Sequence, residues 1–148
     1  MKQEELKIKL HYSEMEIPKR AHKTDSGVDL YLMKVIPKKK DVYFFDTGVS
    51  IEPPNGYYIE LFPRSSIYKH DFIMANSVGI IDESYRGILY MPMRYVGEGD
   101  GLTEAENLIG HRVGQIIIKK LYNFDLKIVE QVSETKRGDG GFGSTGQK

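Results

Sequence analysis

The sequence predicts an all-β fold, a jelly-roll-like barrel or sandwich of short antiparallel strands with one or two short helices and a flexible C-terminal arm. Near the start, Leu6, Ile8 and Leu10 alternate with basic residues, and a period of two is typical of a strand with one buried face. No long stretch has the 3.6-residue period of an amphipathic helix. Turn residues, as in 53–56 and 97–101, separate the apolar runs.

Further strands are predicted where β-branched and aromatic residues form short runs. These runs cover residues 42–51, 57–62, 72–75, 87–96, 113–121 and 126–132. Short helices are predicted over 65–70 and 102–109. The basic run Lys38-Lys39-Lys40 beside Pro37 is interpreted as a solvated turn.

The length and charge of the chain limit the number of domains and the kinds of partner that we expect. Its 148 residues predict one domain, residues 1–148, with 134–148 as a mobile arm. Twenty-one basic residues balance 21 acidic ones, so we expect no nucleic-acid partner. Cysteine is absent, which excludes disulfides, cysteine-bound zinc and thiol chemistry. No stretch reaches the roughly 18 apolar residues of a membrane span, so we expect no membrane partner and a cytoplasmic or otherwise intracellular location, including that of a viral protein in a host cell.

The C-terminal tail differs in composition from the rest. Five of the 15 glycines lie between Arg137 and Gly146, where free backbone N–H groups can wrap a phosphate. Ser144 and Thr145 add hydroxyl donors, and Arg137 adds a fixed charge. A disordered solubilising tail is the alternative. Phe142 favours the clamp, because an aromatic residue among glycines suits stacking on a flat ligand.

Residues 75–87, ANSVGIIDESYRG, predict a β-hairpin with Asp82 at its neck and Gly87 at the start of the returning strand. An acid held there can orient and deprotonate a water, and Tyr85 can stack on a sugar. The alternative is a turn in which Asp82 caps backbone N–H groups.

Three other strings contain residues that suit ligand binding, although each string alone is a weak signal. Residues 63–66 (PRSS) form either an anion site at a helix start or an ordinary N-cap with a surface arginine. Asp25 and Asp29 flank a glycine and could hold Mg²⁺ directly or through its waters, or form an Asx turn. Gln115 could donate to a phosphate oxygen or satisfy a backbone group. The four histidines show no metal-ligand spacing.

In order and spacing, five strings together resemble the motifs of the trimeric deoxyuridine triphosphatases (dUTPases). They are AHKTDSGVDLYL, PRSS, ANSVGIIDESYRG, GHRVGQIII and RGDGGFGSTG, spanning residues 21–146. The resemblance implies Mg²⁺-dependent hydrolysis of dUTP to dUMP and pyrophosphate by in-line attack of a water on the α-phosphate. This reaction would limit uracil in DNA and supply dUMP for dTMP synthesis. The implied assembly is a homotrimer with shared active sites.

The resemblance also implies roles for single residues. Asp82 positions the water, Asp29 holds Mg²⁺ through water, and Tyr85 packs under the deoxyribose. The tail covers uracil and grips the γ-phosphate. The implied substrate-binding positions are Arg64, Ser65, Ser66, Asn76, Gly79, Ile81, Tyr85, Gln115, Arg137, Phe142, Gly143, Ser144 and Thr145.

Two positions depart from the family pattern. Ser66 stands where the family usually has glycine, and His111 stands where it usually has an acid; Arg112, which follows, is interpreted as a structural contact. A dCTP deaminase and a non-catalytic nucleotide switch remain as alternatives. The tail with its stacking Phe142 and the IDESYRG string favour hydrolysis.

Overall fold

A computed structural model describes residues 4–146 and confirms the all-β prediction. Within these residues the chain forms ten strands, one α-helix and one 3₁₀ helix. The strands are β1 (Lys7–Leu10), β2 (Val28–Tyr31), β3 (Lys34–Lys39), β4 (Val42–Asp46), β5 (Val49–Glu52), β6 (Tyr57–Pro63), β7 (Phe72–Met74), β8 (Gly79–Ile81), β9 (Tyr90–Tyr95) and β10 (Arg112–Lys120).

The strands form three antiparallel sheets around one core. The sheet that we call the site sheet has the order β2-β10-β6-β8, a second four-stranded sheet has the order β3-β4-β9-β7, and β1 pairs with β5. All three sheets contribute to one buried cluster, which includes Leu30, Phe45, Ile51, Leu61 and Met91. Strand β5 is buried on both faces, since Val49, Ser50 and Ile51 are all buried. In β1, for which the period of two predicts a buried face, Leu10 is partly buried against the core but Ile8 is 36% exposed.

The two helices are short. The 3₁₀ helix covers Ser65–His70 as predicted. Helix α1 (Gly101–Glu106) ends three residues before the predicted boundary, and the Asp100 carboxylate caps its start by accepting from the backbone N–H of Leu102. Between residues 4 and 146, no helix has the length and apolarity that crossing a bilayer requires.

A turn at residues 46–48 divides the predicted strand 42–51 into β4 and β5. The backbone N–H of Gly48 donates to the Asp46 carboxylate at 2.7 Å, and the Thr47 hydroxyl donates to the carbonyl of Leu89 at 2.7 Å. Gly48 has a φ of +67°, and a Cβ there would lie within 3 Å of the Tyr12 ring. This turn moves the chain from the second four-stranded sheet to the pair with β1.

Two other predictions about strands are wrong. Lys38 and Lys39 belong to edge strand β3 rather than to a turn, although Lys40 lies in the predicted turn and all three lysines are exposed. Lysines are common on sheet edges because they discourage further pairing. Residues 126–132 form no strand in this chain. Leu126, Ile128 and Val132 are each at least 85% exposed, so their alternation has no face of the same chain to pack on.

Tyr12 anchors the loop after β1 to a buried carboxylate. Its hydroxyl donates to Asp46 at 2.7 Å, and Asp46 is only 3% exposed. That hydrogen bond, followed by burial and by the nearby negative charge, raises the pKa of Tyr12 to about 12. A raised phenol pKa means that folding favours the neutral hydroxyl. The stabilisation is therefore complete below the ordinary tyrosine pKa of about 10 and is lost as the pH rises through 12.

We expect Tyr12→Phe to lower the free energy of unfolding at pH 7 by about 1–3 kcal/mol, because a buried carboxylate oxygen loses its partner. The difference from wild type should shrink between pH 10 and 12. Urea unfolding at pH 7, 9, 10.5 and 12 measures both effects. Tyr68→Phe, which alters an exposed tyrosine, is the control, and an equal loss in that variant would contradict the account.

Candidate active site

The site sheet brings three predicted residues together at one end. Gln115 on β10 lies opposite Asp29 on β2 and opposite Phe62 on β6. Arg64 follows directly after β6, and its backbone N–H donates to the carbonyl of Val113 at 2.9 Å. Asp29, Arg64 and Gln115 come from three separate motifs, and the strand register places them side by side.

Asp29 lies between two arginines. Its Oδ1 is 3.0 Å from Nε of Arg64, and its Oδ2 is 3.1 Å from Nη1 of Arg112. Arg64 also donates from Nη1 to the carbonyl of Arg112 at 3.3 Å. One carboxylate thus faces two guanidinium groups, which leaves an excess of positive charge and additional N–H donors at this end of the sheet.

Arg112 was not among the predicted site residues. The sequence shows it only as a residue three positions before Gln115, and regular strand alternation places side chains three positions apart on opposite faces. A register shift between Arg112 and Gly114 breaks that alternation. The irregularity allows the Arg112 side chain to reach Asp29.

Gln115 occupies space that a side chain at Gly27 would fill. A Cβ on Gly27 would collide with the Gln115 carboxamide oxygen. The Gln115 Nε2 donates to the carbonyl of Pro63 at 3.1 Å, which is the backbone role that the sequence left open. The same amide carries a second N–H, so a role toward phosphate stays a prediction.

The described acidic and imidazole side chains do not form a ready-made metal centre. Across residues 4–146, no three acidic or imidazole side chains come together as a metal site. Both Asp29 oxygens already accept from arginines, so direct ligation would compete with two ion pairs. Contact through water fits this arrangement, because Mg²⁺ keeps several waters and takes phosphate oxygens as ligands.

The chain around Asp82 does not form the predicted hairpin. Strand β8, which precedes Asp82, pairs with β6, whereas β9 pairs with β4 and β7 in the other four-stranded sheet. The backbone of Leu89 is hydrogen-bonded to Val49 and to Thr47. Because of these bonds, the chain after Asp82 does not return alongside β8. Asp82 instead begins a turn, in which its carbonyl accepts from the backbone N–H of Tyr85 at 3.1 Å.

Tyr85 is held within that turn with its ring partly exposed. Its hydroxyl donates to the carbonyl of Ile88 at 3.0 Å, and the ring lies where a Cβ on Gly87 would be. Arg86 closes the turn by donating to the carbonyl of Glu83 at 2.6 Å. Glycine at position 87 therefore lets the tyrosine ring approach the backbone closely.

Asp82 borders a cavity at the β8 edge of the site sheet, with a volume of about 750 Å³. Its walls include Tyr58, Arg86 and Lys120. A cavity of this size falls in the range of small-molecule pockets. The exposed acid at its edge is free to meet solvent water.

Asp82 and Arg64 lie at opposite ends of β6. Ile81 pairs with Ile59, which places Asp82 level with Tyr58, whereas Arg64 follows Pro63. Six residues of strand separate the two levels, or roughly 20 Å at about 3.3 Å per residue. Since groups that act on one phosphate must come within hydrogen-bonding distance of it, these two residues of one chain do not share a phosphate.

After β10 the N–H of Leu121 donates to the carbonyl of Gly56 at 2.8 Å, and Tyr122 and Phe124 line the cavity that Asp82 borders. From residue 134 to 146, the described hydrogen bonds join residues of the same segment, as in Arg137 Nε to the carbonyl of Gly140 at 3.0 Å. Phe142 is fully exposed with a φ of +51°. The predicted arm residues thus make no described hydrogen bond to Asp29, Arg64 or Asp82 of their own chain. Residues 147–148 of the predicted arm fall outside the described residues.

Comparison with known proteins identifies the family. The family model for dUTPases matches residues 13–146. The deoxyuridine 5'-triphosphate nucleotidohydrolase of Clostridioides difficile is 36% identical over 143 residues, covering 95% of this chain and 97% of that protein. The enzyme of the same name from Escherichia phage T5 is 34% identical, covering 97% and 99%.

A solved structure agrees with this match. A mutant dUTPase of Staphylococcus bacteriophage 80alpha, determined with dUpNHpp, superposes with a TM-score of 0.77 at 27% identity and covers 96% of this chain and 98% of that one. The match in sequence and the match in fold both extend over nearly the whole chain. The chain therefore belongs to the dUTPase family.

Proposed function

We propose that this protein is a dUTP diphosphatase that hydrolyses dUTP to dUMP and pyrophosphate in the presence of Mg²⁺. The observation that carries the proposal is the convergence of Asp29, Arg64 and Gln115, three positions of the family motifs, on one end of the site sheet. In a cell this reaction would keep uracil out of DNA and supply dUMP for dTMP synthesis.

The end of the sheet near Arg64 is proposed to bind the triphosphate. Arg64, Ser65 and Ser66 begin the 3₁₀ helix region, and Gln115 reaches the same level from β10. The excess positive charge of the Asp29 cluster complements the negative charge of the phosphates. Such fixed donors lower the barrier by stabilising charge that develops on the leaving pyrophosphate.

Mg²⁺ is proposed to lie on the substrate phosphates, with Asp29 contacting it through water. When bound, the ion would shield phosphate charge and fix the conformation of the triphosphate. Asp29 can accept hydrogen bonds from water while keeping its contacts to Arg64 and Arg112, since each carboxylate oxygen has two lone pairs.

Asp82 is proposed to orient the attacking water and to take its proton. The water oxygen forms a bond to the α-phosphorus while the bond from that phosphorus to the bridging oxygen breaks, and pyrophosphate leaves with the bond's electrons. The proton moves to the Asp82 carboxylate and then to solvent. Exposure of Asp82 at the start of a turn supports access by water.

Uracil is proposed to pair with the free edge of β8. This strand is the last of the site sheet, with β6 on one side only, so backbone groups near Gly79 and Ile81 are available to a ligand. Asn76 lies in the turn before it, and Tyr85 would pack on the deoxyribose. Cytosine would leave backbone groups unpaired and would be rejected strongly.

The arm is proposed to complete the site of a neighbouring copy in a homotrimer. The separation of Asp82 from Arg64 supports sites assembled from several chains. Leu126, Ile128 and Val132 alternate and are almost fully exposed, which suits a strand that packs on a second copy. Arg137 and Ser144 would then grip the γ-phosphate, with Gly143 and Thr145 beside them and Phe142 stacked on uracil.

The experiment that tests this function is incubation with each deoxynucleoside triphosphate and Mg²⁺, followed by assays for pyrophosphate and ammonia. Pyrophosphate from dUTP alone, abolished by EDTA, is the expected result. Ammonia from dCTP would indicate a deaminase instead, and absence of any product would favour a non-catalytic switch.

A further inference from the structure

A small cavity opens between the 3₁₀ helix, the chain after α1 and the start of β10. Its volume is about 190 Å³. The polar residues of its wall are Arg64, Ser66, His70, His111 and Arg112, and the wall includes Leu108 on its apolar part. The lining residues, all of which lie in the described part of the chain, include no acid.

The wall presents donors and positive charge. The contacts described above engage Nε and Nη1 of Arg64 and Nη1 of Arg112, whereas each guanidinium carries five N–H groups. Each imidazole has an N–H donor in either tautomer, and the Ser66 hydroxyl adds another. Asp29 balances only one of the two arginines. The cavity is therefore suited to an oxyanion.

Its size limits the ligand. A volume near 190 Å³ corresponds to roughly six waters at about 30 Å³ each, and it is below the range of about 300–1,000 Å³ for larger organic ligands. A phosphate or a pyrophosphate matches a cavity of this volume.

Both departures from the family pattern lie in this wall. Ser66 adds a hydroxyl where glycine would have none, and His111 replaces a residue type that would repel an anion. Ser66 and His111 are distant in sequence, yet both make the wall of the same cavity more favourable for an anion. Gln115 and Ser65, which are predicted to contact the nucleotide, do not line it.

We propose that this cavity is a second anion site, which binds free inorganic phosphate or pyrophosphate separately from the nucleotide. Arg64, Ser66 and Arg112 border both places, whereas His70 and His111 belong to the second site. The site needs no nucleotide for its binding, so its existence does not depend on the activity proposed above.

Isothermal titration calorimetry of the intact protein with sodium phosphate, and separately with sodium pyrophosphate, tests the proposal. The buffer should contain no other multivalent anion. We expect one site per chain, and we expect His111→Asp to weaken binding about tenfold or more, because it places a charge of the wrong sign in the wall. The backbone N–H and C=O of His111 bond to Leu108 and Leu32, and these bonds survive the substitution.

Asn55→Asp is the matched control, since it makes the same change in net charge in the exposed turn before β6, at the end far from Arg64. It should bind as wild type does. His70→Asp provides a second test from another wall residue should His111→Asp fold poorly, as judged by its dUTP turnover and circular dichroism.

A phosphate titration in the presence of saturating dUpNHpp distinguishes a separate anion site from the nucleotide's own phosphate position. Binding that persists supports a separate site. Simple competition would show that the anion occupies the nucleotide's own phosphate position and would overturn the proposal. Absence of binding by wild type, or equal binding by folded His111→Asp and His70→Asp variants, would overturn it as well.

Discussion

Asp82→Asn is expected to bind dUTP with nearly unchanged affinity and to hydrolyse it about 10²–10⁴-fold more slowly. The amide keeps the size of the side chain but does not accept a proton from the attacking water, and general-base catalysis contributes about that factor. Single-turnover rates with saturating enzyme measure the chemical step, and calorimetry with dUpNHpp measures binding.

Asp125→Asn is the control for this substitution, because it makes the same chemical change at an exposed acid outside the proposed site. It should keep the wild-type rate. If Asp82→Asn turned over as fast as wild type, the assignment of the base would be wrong, although the family and the substrate would stand.

A chain that ends after Ser133 is expected to keep its fold and its oligomeric state and to lose at least about 100-fold in kcat/KM. The removed residues make no described hydrogen bond to the body, so the core should unfold at the same temperature. The loss is expected because the arm supplies Arg137, Phe142 and Ser144 and excludes water from the site.

A chain that ends after Gly146 is the matched control for the truncation, since it keeps every proposed arm residue. Steady-state kinetics, thermal unfolding and sedimentation velocity should be measured on both chains. Full activity of the chain that ends after Ser133 would show that the arm is not part of the catalytic site.

Local patterns predicted most of the fold. The alternation of apolar and basic residues predicted the position of β1. Clusters of β-branched and aromatic residues predicted the ends of β6, β9 and β10 to within three residues of their observed positions. The division of strand 42–51 was not predictable, because it depends on two contacts with distant partners: the Thr47 hydroxyl donates to the carbonyl of Leu89, and Asp46 accepts from the Tyr12 hydroxyl. The lysine-rich edge strand β3 was missed because its composition is also that of a solvated turn.

The residues of the site were predictable from the sequence, but their positions relative to one another were not. The five motif strings identify positions, but register decides which of them meet. Asp29 and Gln115 meet because β2 pairs with β10, and Asp82 is remote from Arg64 because β8 pairs along the far part of β6. Arg112 reaches Asp29 because of an irregularity in β10, and this irregularity has no clear sequence signal.

The apolar alternation of residues 126–132 shows a different limit. Its period correctly marks residues that suit a strand, yet within one chain no strand forms there. A strand needs a neighbour, and the sequence does not state whether the neighbour belongs to the same chain. The proposed assembly supplies one from a second copy.

The measurement that most directly tests a site shared between copies is complementation of two inactive variants. Asp82→Asn and Arg64→Gln chains, carrying different affinity tags, are coexpressed, and mixed oligomers are purified through both tags and assayed with dUTP. If Asp82 and Arg64 of one site come from neighbouring chains of a trimer, every mixed trimer has one site in three with both native residues, and activity should return to about a third of wild type. Activity no greater than that of the two parent variants would contradict the account.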